Sequence, residues 1–406
     1  MGPAVITTDA QRPQAQGAHR PPRCAWAGLA LAVACAGSGA DALQPVDHVS
    51  ARPPPCVVPG AVVALSPADG ADRHHPTADR APDGTVWVTW QRGMRPAAIE
   101  IASFSPSLEP AGPPVLLSGL ATRPTHPQVA VGAGRRVVVW TEEDTATLRF
   151  VAVDDVGQPL APPISWAGVR GMPLYPDVAV DPMGVAWVVW FEEAGGPAWW
   201  SMSIDTRGSI DGPQPLGEAN AWWGGGGPAG VAVAADGRVY AAWAEVAWRP
   251  FGAPAATVYA SALGEPVAPM VWGAVVGNAQ RVALGVDAGG KPAWAGWTRY
   301  PGGTATPGVA WTGPGQPVVT RTPGRMLDLL AVGDEAWVAW DAPELGVVAA
   351  PATDRVGCAG PWRVADPATH AERPVWVPPQ GGTLALVWQA GAKKMRSIYG
   401  QTLKMQ

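Results

Sequence analysis

Short hydrophobic segments recur along the chain, and seven of them end in a tryptophan. A glycine stands six residues before the tryptophan in five of these units, as Gly84 does before Trp90. A hairpin turn at the glycine, followed by a strand that carries the tryptophan, accounts for this spacing. The pattern predicts a repeated β-structure with a unit of about fifty residues. The seven tryptophans are Trp90, Trp140, Trp190, Trp243, Trp297, Trp340 and Trp388.

Each unit contains four strand-like pieces, and the tryptophan lies in the second. This second strand is hydrophobic on both faces, as in Val86-Trp87-Val88, which is expected of a sheet that is covered on both sides. Four antiparallel strands in 40–50 residues are the size of a propeller blade. The last unit stops after its third strand, and a strand of the fourth type, Ala61–Leu65, precedes the first unit. We therefore predict an all-β, seven-bladed β-propeller of four-stranded antiparallel blades over 57–406, closed by pairing of its N-terminal and C-terminal strands.

The amino-terminal segment has the pattern of an export signal. A basic stretch precedes the apolar run Cys24–Gly37, which is too short to span a hydrocarbon core of about 30 Å. We predict a signal peptide over 1–35 and a flexible tether, rich in Ala, Gly, Ser and Pro, over 36–56.

The end of the apolar run resembles the lipobox of bacterial lipoproteins, although Ala32 stands where that family prefers Leu, Val or Ile. This resemblance implies lipidation of Cys35, with ordinary cleavage near residues 34–40 as the alternative. We expect an outer-membrane or cell-surface lipoprotein that touches the membrane through its lipid only. Without the lipid, the chain would be periplasmic or extracellular.

Composition narrows the possible partners. The net charge is −5, from 28 basic and 33 acidic residues, which disfavours nucleic acid as a ligand. Glycine (50) and proline (46) are too abundant for a helical protein, which supports the strand prediction. We expect a monomer whose partner is a glycan or a protein of the envelope or the extracellular space.

With these repeats, the chain resembles the sialidase-like (BNR-type) propellers of secreted bacterial lipoproteins. It lacks their intact Asp box, Ser-x-Asp-x-Gly-x-Thr-Trp, and the nearest segment is Asp205-Thr-Arg-Gly208. The resemblance implies that functional side chains lie where loops gather around the central channel, including the residues that follow each repeated tryptophan. It does not by itself imply a function, because one fold carries many activities.

Three glutamates occupy the same position, two residues after the tryptophan, in three successive units: Glu142, Glu192 and Glu245. They suggest an acidic arc that binds a cation or an amine-bearing ligand. The alternative is that a strand leaving a buried sheet needs a polar residue at its exit. Tryptophans near loops form a second candidate binding surface, because they stack on sugars and anchor protein partners. The pairs are Trp199, Trp200 and Trp222, Trp223.

Catalytic or metal chemistry is the less favoured interpretation. A sialidase-like hydrolase would need an arginine cluster, a tyrosine and a carboxylic acid, for which Arg92, Arg299, Tyr300 and Glu245 supply the residue types. His75 and His126 hold equivalent positions before a proline and could share a divalent metal, Zn²⁺ above all. Hydrogen bonding within their own loops is the alternative. No other cofactor is expected, since no P-loop or HExxH motif occurs.

Four cysteines occur in the chain. Cleavage at Cys35 would remove Cys24 and leave Cys56 and Cys358 in an oxidising compartment, which predicts a disulfide between them; two free thiols are the alternative. Together these patterns favour an exported, non-catalytic binding or scaffold propeller. A degenerate sialidase-like glycoside hydrolase is the alternative function.

Overall fold

The computed structural model describes residues 49–119, 122–192, 198–216, 227–247, 255–265, 269–276, 278–300, 308–313, 318–352, 358 and 360–406. Cys35 and the predicted signal peptide lie outside these residues. In the described part of the chain, 28 strands form seven four-stranded antiparallel sheets, and the sheets are the blades of a β-propeller. None of the described helices is long and apolar enough to cross a membrane.

The strands follow one another around the ring in chain order, from the inner to the outer edge of each blade. Blade 1 has β2 (Arg73–Arg80), β3 (Val86–Arg92), β4 (Ala98–Phe104) and β5 (Val115–Leu116). Blade 2 has β6 (Pro124–Gly132), β7 (Arg135–Glu142), β8 (Thr147–Val153) and β9 (Ile164–Ala167). Blade 3 has β10 (Pro173–Val180), β11 (Ala186–Glu192), β12 (Ala198–Ile204) and β13 (Ile210–Pro215). Blade 4 has β14 (Gly230–Val233), β15 (Val239–Ala247), β16 (Ala255–Ala262) and β17 (Met270–Val276).

The remaining blades complete the ring. Blade 5 has β18 (Asn278–Val286), β19 (Pro292–Tyr300), β20 (Gly308–Thr312) and β21 (Val318–Pro323). Blade 6 has β22 (Arg325–Val332), β23 (Glu335–Ala342), β24 (Gly346–Pro351) and β25 (Trp362–Ala365). Blade 7 has β26 (Glu372–Gln380), β27 (Thr383–Ala390), β28 (Ser397–Met405) and, as its outer strand, β1 (Val57–Ala64). A 3₁₀ turn, Pro367–Thr369, precedes β26.

Pairing of the two chain ends closes the ring, as predicted. Strand β1 runs antiparallel to β28, with Val57 opposite Met405 and Ala64 opposite Tyr399. The number of blades, the number of strands in each and the closing pair are thus confirmed. Closure removes the unpaired edge that an open sheet of blades would expose.

The hydrophobic core lies between neighbouring blades, because successive side chains of a strand point to opposite faces. In blade 1, Trp90 packs with Val387 of blade 7, whereas Trp87 packs with Val138 and Trp140 of blade 2. All seven repeated tryptophans are at most 3% exposed, which confirms them as core residues. The hairpin glycines also lie where expected, and Gly84 has a φ of 93° that suits glycine.

The segment before β1 is attached to the propeller. Cys56 and Cys358 form a disulfide with their Cα atoms 5.5 Å apart, which links the start of β1 to the loop between β24 and β25 of blade 6. Ser50 bridges Trp362, and its backbone exchanges hydrogen bonds of 2.9 Å with Pro361 and Arg363. Within the segment predicted as a flexible tether, Ser50 is therefore attached to blade 6 by backbone hydrogen bonds and Cys56 by the disulfide.

Candidate functional site

The first residues of the inner strands converge around the propeller axis. In six blades a non-glycine residue here adopts a left-handed φ of 50–56°, a conformation that costs about 1–2 kcal/mol per residue. Each lies at a break in the strand register; in blade 1, for example, the shift falls between His74 and Thr77. A bulge of this kind turns an extra side chain out of the ladder, here toward the axis. The six residues are His75, His126, Tyr175, Arg281, Met326 and Arg373.

These side chains line a cavity of about 460 Å³. Residues from the inner strands of all seven blades contribute to its wall, so it lies on the axis of the ring. Two residues further along each inner strand, a deeper tier includes Thr77, Gln128, Asp177 and Asp328. The axial cavity is the main candidate site, because side chains from the inner strands of seven blades meet in it.

Aromatic rings of blades 1 to 3 form one wall of the cavity. The rings of His75 and His126 stack at 4.5 Å, and Tyr175 meets His126 edge to face at 4.5 Å. Burial lowers the pKa of His75 well below its usual value and that of His126 to about 3, and nearby Arg373 lowers both further. The two imidazoles are therefore neutral at physiological pH, and within the described part of the chain Nδ1 of His75 has no hydrogen-bond partner.

Arginines of blades 5 and 7 provide the positive charge of the cavity. Within the described residues neither Arg281 nor Arg373 forms an ion pair, and Nη1 of Arg281 lies 3.3 Å from the sulfur of Met326. Burial lowers the pKa of Arg373 to about 10, and the neighbouring charge of Arg281 lowers it further. The guanidinium group of Arg373 remains protonated at neutral pH, since even this lowered value is well above 7.

Two carboxyl groups lie in the deeper tier at equivalent positions of blades 3 and 6. Oδ2 of Asp177 accepts a hydrogen bond from Val231 N at 2.9 Å, and Oδ2 of Asp328 accepts one from Trp376 N at 2.7 Å. Each bond joins an inner strand to that of the next blade. Burial raises the pKa of Asp177 to about 7, with a further rise from Asp328 and a lowering by Arg281. Burial also raises the pKa of Asp328.

The three glutamates of the predicted acidic arc accept hydrogen bonds from groups of their own blade or of the loop beside it. Buried Glu142 accepts a bond from Nε of Arg149 at 2.5 Å, and Glu245 accepts one from the indole of Trp243 at 3.1 Å. Glu192 is fully buried and accepts bonds from the indole of Trp190 and from the backbone nitrogens of 169–171. These contacts favour the structural interpretation over ligand binding.

The predicted catalytic residue Arg92 forms ion pairs with Glu100 at 3.2 Å and with Asp69 at 3.5 Å. The pair with Glu100 is the charge-reversed equivalent of Glu142 with Arg149, since one partner follows the tryptophan by two residues and the other lies opposite it. This recurrence in two blades indicates a structural role. The side chains of Arg299 and Tyr300 lie outside the described residues.

The predicted tryptophan surface is largely internal where it is described. Trp199 is 1% exposed and donates to Gly227 O at 3.2 Å, and Trp200 is 8% exposed beneath the guanidinium of Arg170. These two rings therefore offer little surface to a ligand, because Trp199 packs in the core between blades 3 and 4 and Trp200 in the core between blades 2 and 3. Trp222 and Trp223 lie outside the described residues.

His75 and His126 do come together, yet their geometry does not suit a shared metal. Imidazole lone pairs lie in the ring plane, so two rings stacked with 15° between their planes do not converge on one ion. Across the described residues no group of three or more His, Cys, Asp or Glu side chains could hold a metal.

Sequence reasoning missed Tyr175, Arg281, Arg373 and the two buried aspartates. One sequence pattern marks some of these cavity residues. A residue followed by proline opens the inner strand in several blades, as in His75-Pro76, His126-Pro127, Tyr175-Pro176 and Arg373-Pro374.

No family model matches the chain, and no curated protein matches it. Among solved structures it is similar to a protein of unknown function from Dyadobacter fermentans, with a TM-score of 0.52 and 11% identity over 87% of this chain and 100% of that one. It is also similar to an α-L-arabinofuranosidase from Fusarium graminearum, with a TM-score of 0.50 and 10% identity over 85% and 97%. A neuraminidase-like protein of A/flat-faced bat/Peru has a TM-score of 0.50 and 8% identity over 88% and 95%. At these identities the likeness concerns the propeller fold, which this chain shares with neuraminidase-like and glycosidase structures.

Proposed function

We propose that the chain is an exported, membrane-tethered, non-catalytic propeller that binds a glycan or protein ligand in its axial cavity. The observation that carries this proposal is the ring of six left-handed, non-glycine residues around the 460 Å³ cavity. Strained backbone of this kind persists only where the surrounding structure holds it in place, and such residues cluster at catalytic and ligand-binding sites. Polar and aromatic side chains of separate blades meet there, as they do in ligand sites that recognise sugars and peptides.

The directions of the strands put the cavity at the end of the propeller opposite to the one that the tether joins. Strand β26 begins at the cavity with Glu372, which pairs with Gln389 near the end of β27. Strand β28 then runs from the cavity end to Met405, opposite Val57 of β1. The segment before β1 therefore joins the propeller at the end remote from the cavity. A lipid on Cys35 would hold that end toward the membrane and leave the cavity open to a soluble or neighbouring partner.

The contacts of the predicted catalytic residues weigh against hydrolysis. Arg92 and Glu245 lie in different blades and each has structural partners within its own blade. The two carboxyl groups in the cavity accept backbone hydrogen bonds that join adjacent inner strands. These hydrogen bonds give the two carboxyl groups a structural role. Turning either group toward a substrate would break its bond.

A filled-cavity variant tests the binding proposal. Ala283→Trp places an indole in the cavity wall, whereas Ala161→Trp adds the same group to an exposed turn of blade 2 that does not line the cavity. The wild-type protein and the Ala161→Trp variant should retain the same ligands on an array of neutral and acidic glycans or on immobilised envelope proteins, and the Ala283→Trp variant should lose them. Equal retention by both variants would contradict an axial binding site.

The alternative function is glycoside hydrolysis, favoured by one observation. Asp177, with a pKa of about 7, lies in the cavity with Arg281 and Tyr175, so its carboxyl could give up a proton near neutral pH. A panel of fluorogenic glycosides measures this directly. Turnover that the wild type supports and Asp177→Asn abolishes would replace the binding proposal with a hydrolase; no turnover by either protein supports the binding proposal.

A further inference from the structure

The axial cavity contains positive charge that the fold does not neutralise with ion pairs. Arg281 and Arg373 both line it, and in the described residues neither has a carboxylate partner within ion-pair distance. Burial lowers the pKa of Arg373 and the charge of Arg281 lowers it further, whereas Asp341 and Glu372 raise it. Unpaired charge within a protein is costly, and a negative group placed between the two guanidinium groups would remove that cost.

The wall formed by blades 1 and 2, next to Arg373 of blade 7, adds hydrogen-bonding groups without adding charge. The stacked rings of His75 and His126 line the cavity on this side, and Tyr175 meets His126 edge to face. The neutral state of both rings gives each ring one donor and one acceptor nitrogen. Nδ1 of His126 lies 3.1 Å from Oγ1 of Thr125, and the buried Nδ1 of His75 has no hydrogen-bond partner among the described residues. This combination suits a ligand that carries an anionic group together with hydroxyl groups.

The two buried aspartates decide how strongly the cavity attracts an anion. When both are ionised, their charges offset the two arginines and repel a second negative group. When a proton neutralises one, the arginines dominate and the anion is favoured. The titratable and charged groups around Asp177 lie on the inner strands of five other blades: His75, His126, Arg281, Asp328 and Arg373. The pKa of Asp177 is raised to about 7, near neutral pH, mainly by burial.

We propose that the axial cavity binds an anionic group between Arg281 and Arg373, and that binding brings one proton from solution onto the carboxyl group of Asp177. This inference rests on the proposed binding function and adds the charge of the ligand and its coupling to pH. No covalent step is involved: one proton leaves the buffer and one carboxylate becomes a carboxylic acid. By linkage, the anion favours the protonated carboxyl and the protonated carboxyl favours the anion to the same extent.

Isothermal titration calorimetry of the intact protein tests both the binding of an anion and the uptake of a proton. The probes are acetate, D-glucuronate and, as the uncharged counterpart, glucuronate methyl ester. Repeating each titration at pH 7 in two buffers of different ionisation enthalpy gives the number of protons taken up. We expect binding of glucuronate and acetate with up to one proton per anion, and affinity that falls above pH 7 by up to about tenfold per pH unit. The methyl ester should bind at least about tenfold more weakly.

Substitutions test whether Arg373 binds the anion and whether Asp177 takes up the proton. Arg373→Gln should weaken anion binding at least about tenfold, because it removes half of the charged clamp. Arg207→Gln is the matched control, since it removes the same charge from an exposed position at the opposite end of the propeller. Asp177→Asn should bind the anion without proton uptake and with constant affinity between pH 6 and 8. Because the buffer experiment uses the wild type alone, it decides the coupling even where a variant fails to fold.

The outcomes separate this inference from the proposed function. Equal affinity for glucuronate and its methyl ester, both lost in Ala283→Trp, would overturn the anion preference and leave the binding function in place. Anion binding without proton uptake between pH 6 and 8 would overturn the coupling. Absence of binding by every probe and every arrayed ligand would overturn both proposals.

Discussion

The disulfide between Cys56 and Cys358 is expected to be a main stabiliser of the closed ring. It closes a loop of 302 residues, and on the chain-entropy description such a loop corresponds to about 5–6 kcal/mol of stability, with measured values commonly about 2–4 kcal/mol. A propeller of about 350 residues unfolds with an entropy of roughly 0.7 kcal/mol/K, so the loss of about 2–6 kcal/mol lowers Tm by about 3–8 °C. The bond lies beside β1, so its loss should first free the closing strand.

Thermal unfolding monitored by circular dichroism measures this effect. Cys56→Ser combined with Cys358→Ala removes the bond, but it also changes packing at Cys358, which is fully buried against the core of blades 6 and 7. Reduced wild-type protein is the control, since both sulfur atoms stay in place and only the bond is missing. The reduced wild type and the double variant should melt at similar, lowered temperatures. A Tm within about 1 °C of the oxidised protein in both would refute the argument from loop closure.

Three further predictions concern the closing strand β1, the core residue Trp190 and the ionisation of Asp177. Deletion of Val57–Ala64 exposes the edge of β28, so the shortened protein should unfold or self-associate on size-exclusion chromatography, and a monomer with unchanged Tm would contradict the role of β1. Trp190→Ala should lower the free energy of unfolding by about 3–5 kcal/mol in denaturant titrations, because this side chain is fully buried between blades 2 and 3; a near-wild-type midpoint would remove it from the core. Asp177 keeps its proton up to about pH 7 in the folded state but loses it near pH 4 when unfolded, so wild-type stability should fall between pH 4 and 7, by about 4 kcal/mol for three pKa units. Asp177→Asn should lack that contribution, and parallel melting profiles of the two proteins across this range would contradict the assignment.

Local sequence determined the repeating parts of this protein. A strand covered on both faces must be hydrophobic on both, so the tryptophan strands could be recognised without knowing their neighbours. Hairpin glycines such as Gly84 need a positive φ, which marks the turn in the sequence itself. The incomplete last unit and the orphan strand before the first pointed to closure, and β1 pairs with β28 accordingly. Counting cysteines likewise pointed to the pair Cys56 and Cys358 that the structure joins.

The polar residues show where local pattern was insufficient. Glu142, Glu192 and Glu245 share one position in the repeat, and that regularity suggested a common ligand site. Glu192 and Glu245 bond the indole two residues before them, whereas the arginine that bonds Glu142 and the loop backbone that bonds Glu192 have no fixed spacing from them in the sequence. A carboxylate at a strand exit can be functional or structural, and the identity of its hydrogen-bond donors decides which.

Only the tertiary structure decided where the candidate site lies. Tyr175, Arg281 and Arg373 come from blades 3, 5 and 7, and they meet because closure of the ring brings seven inner strands around one axis. A bulge at the start of these strands turns the side chains inward, and a bulge is a property of strand pairing rather than of one residue. The charge states in the cavity depend on burial and on neighbours in other blades, since both are created by the folded ring. The sequence by itself therefore determined the blades and their closure, and the arrangement of the blades determined the cavity and its charge.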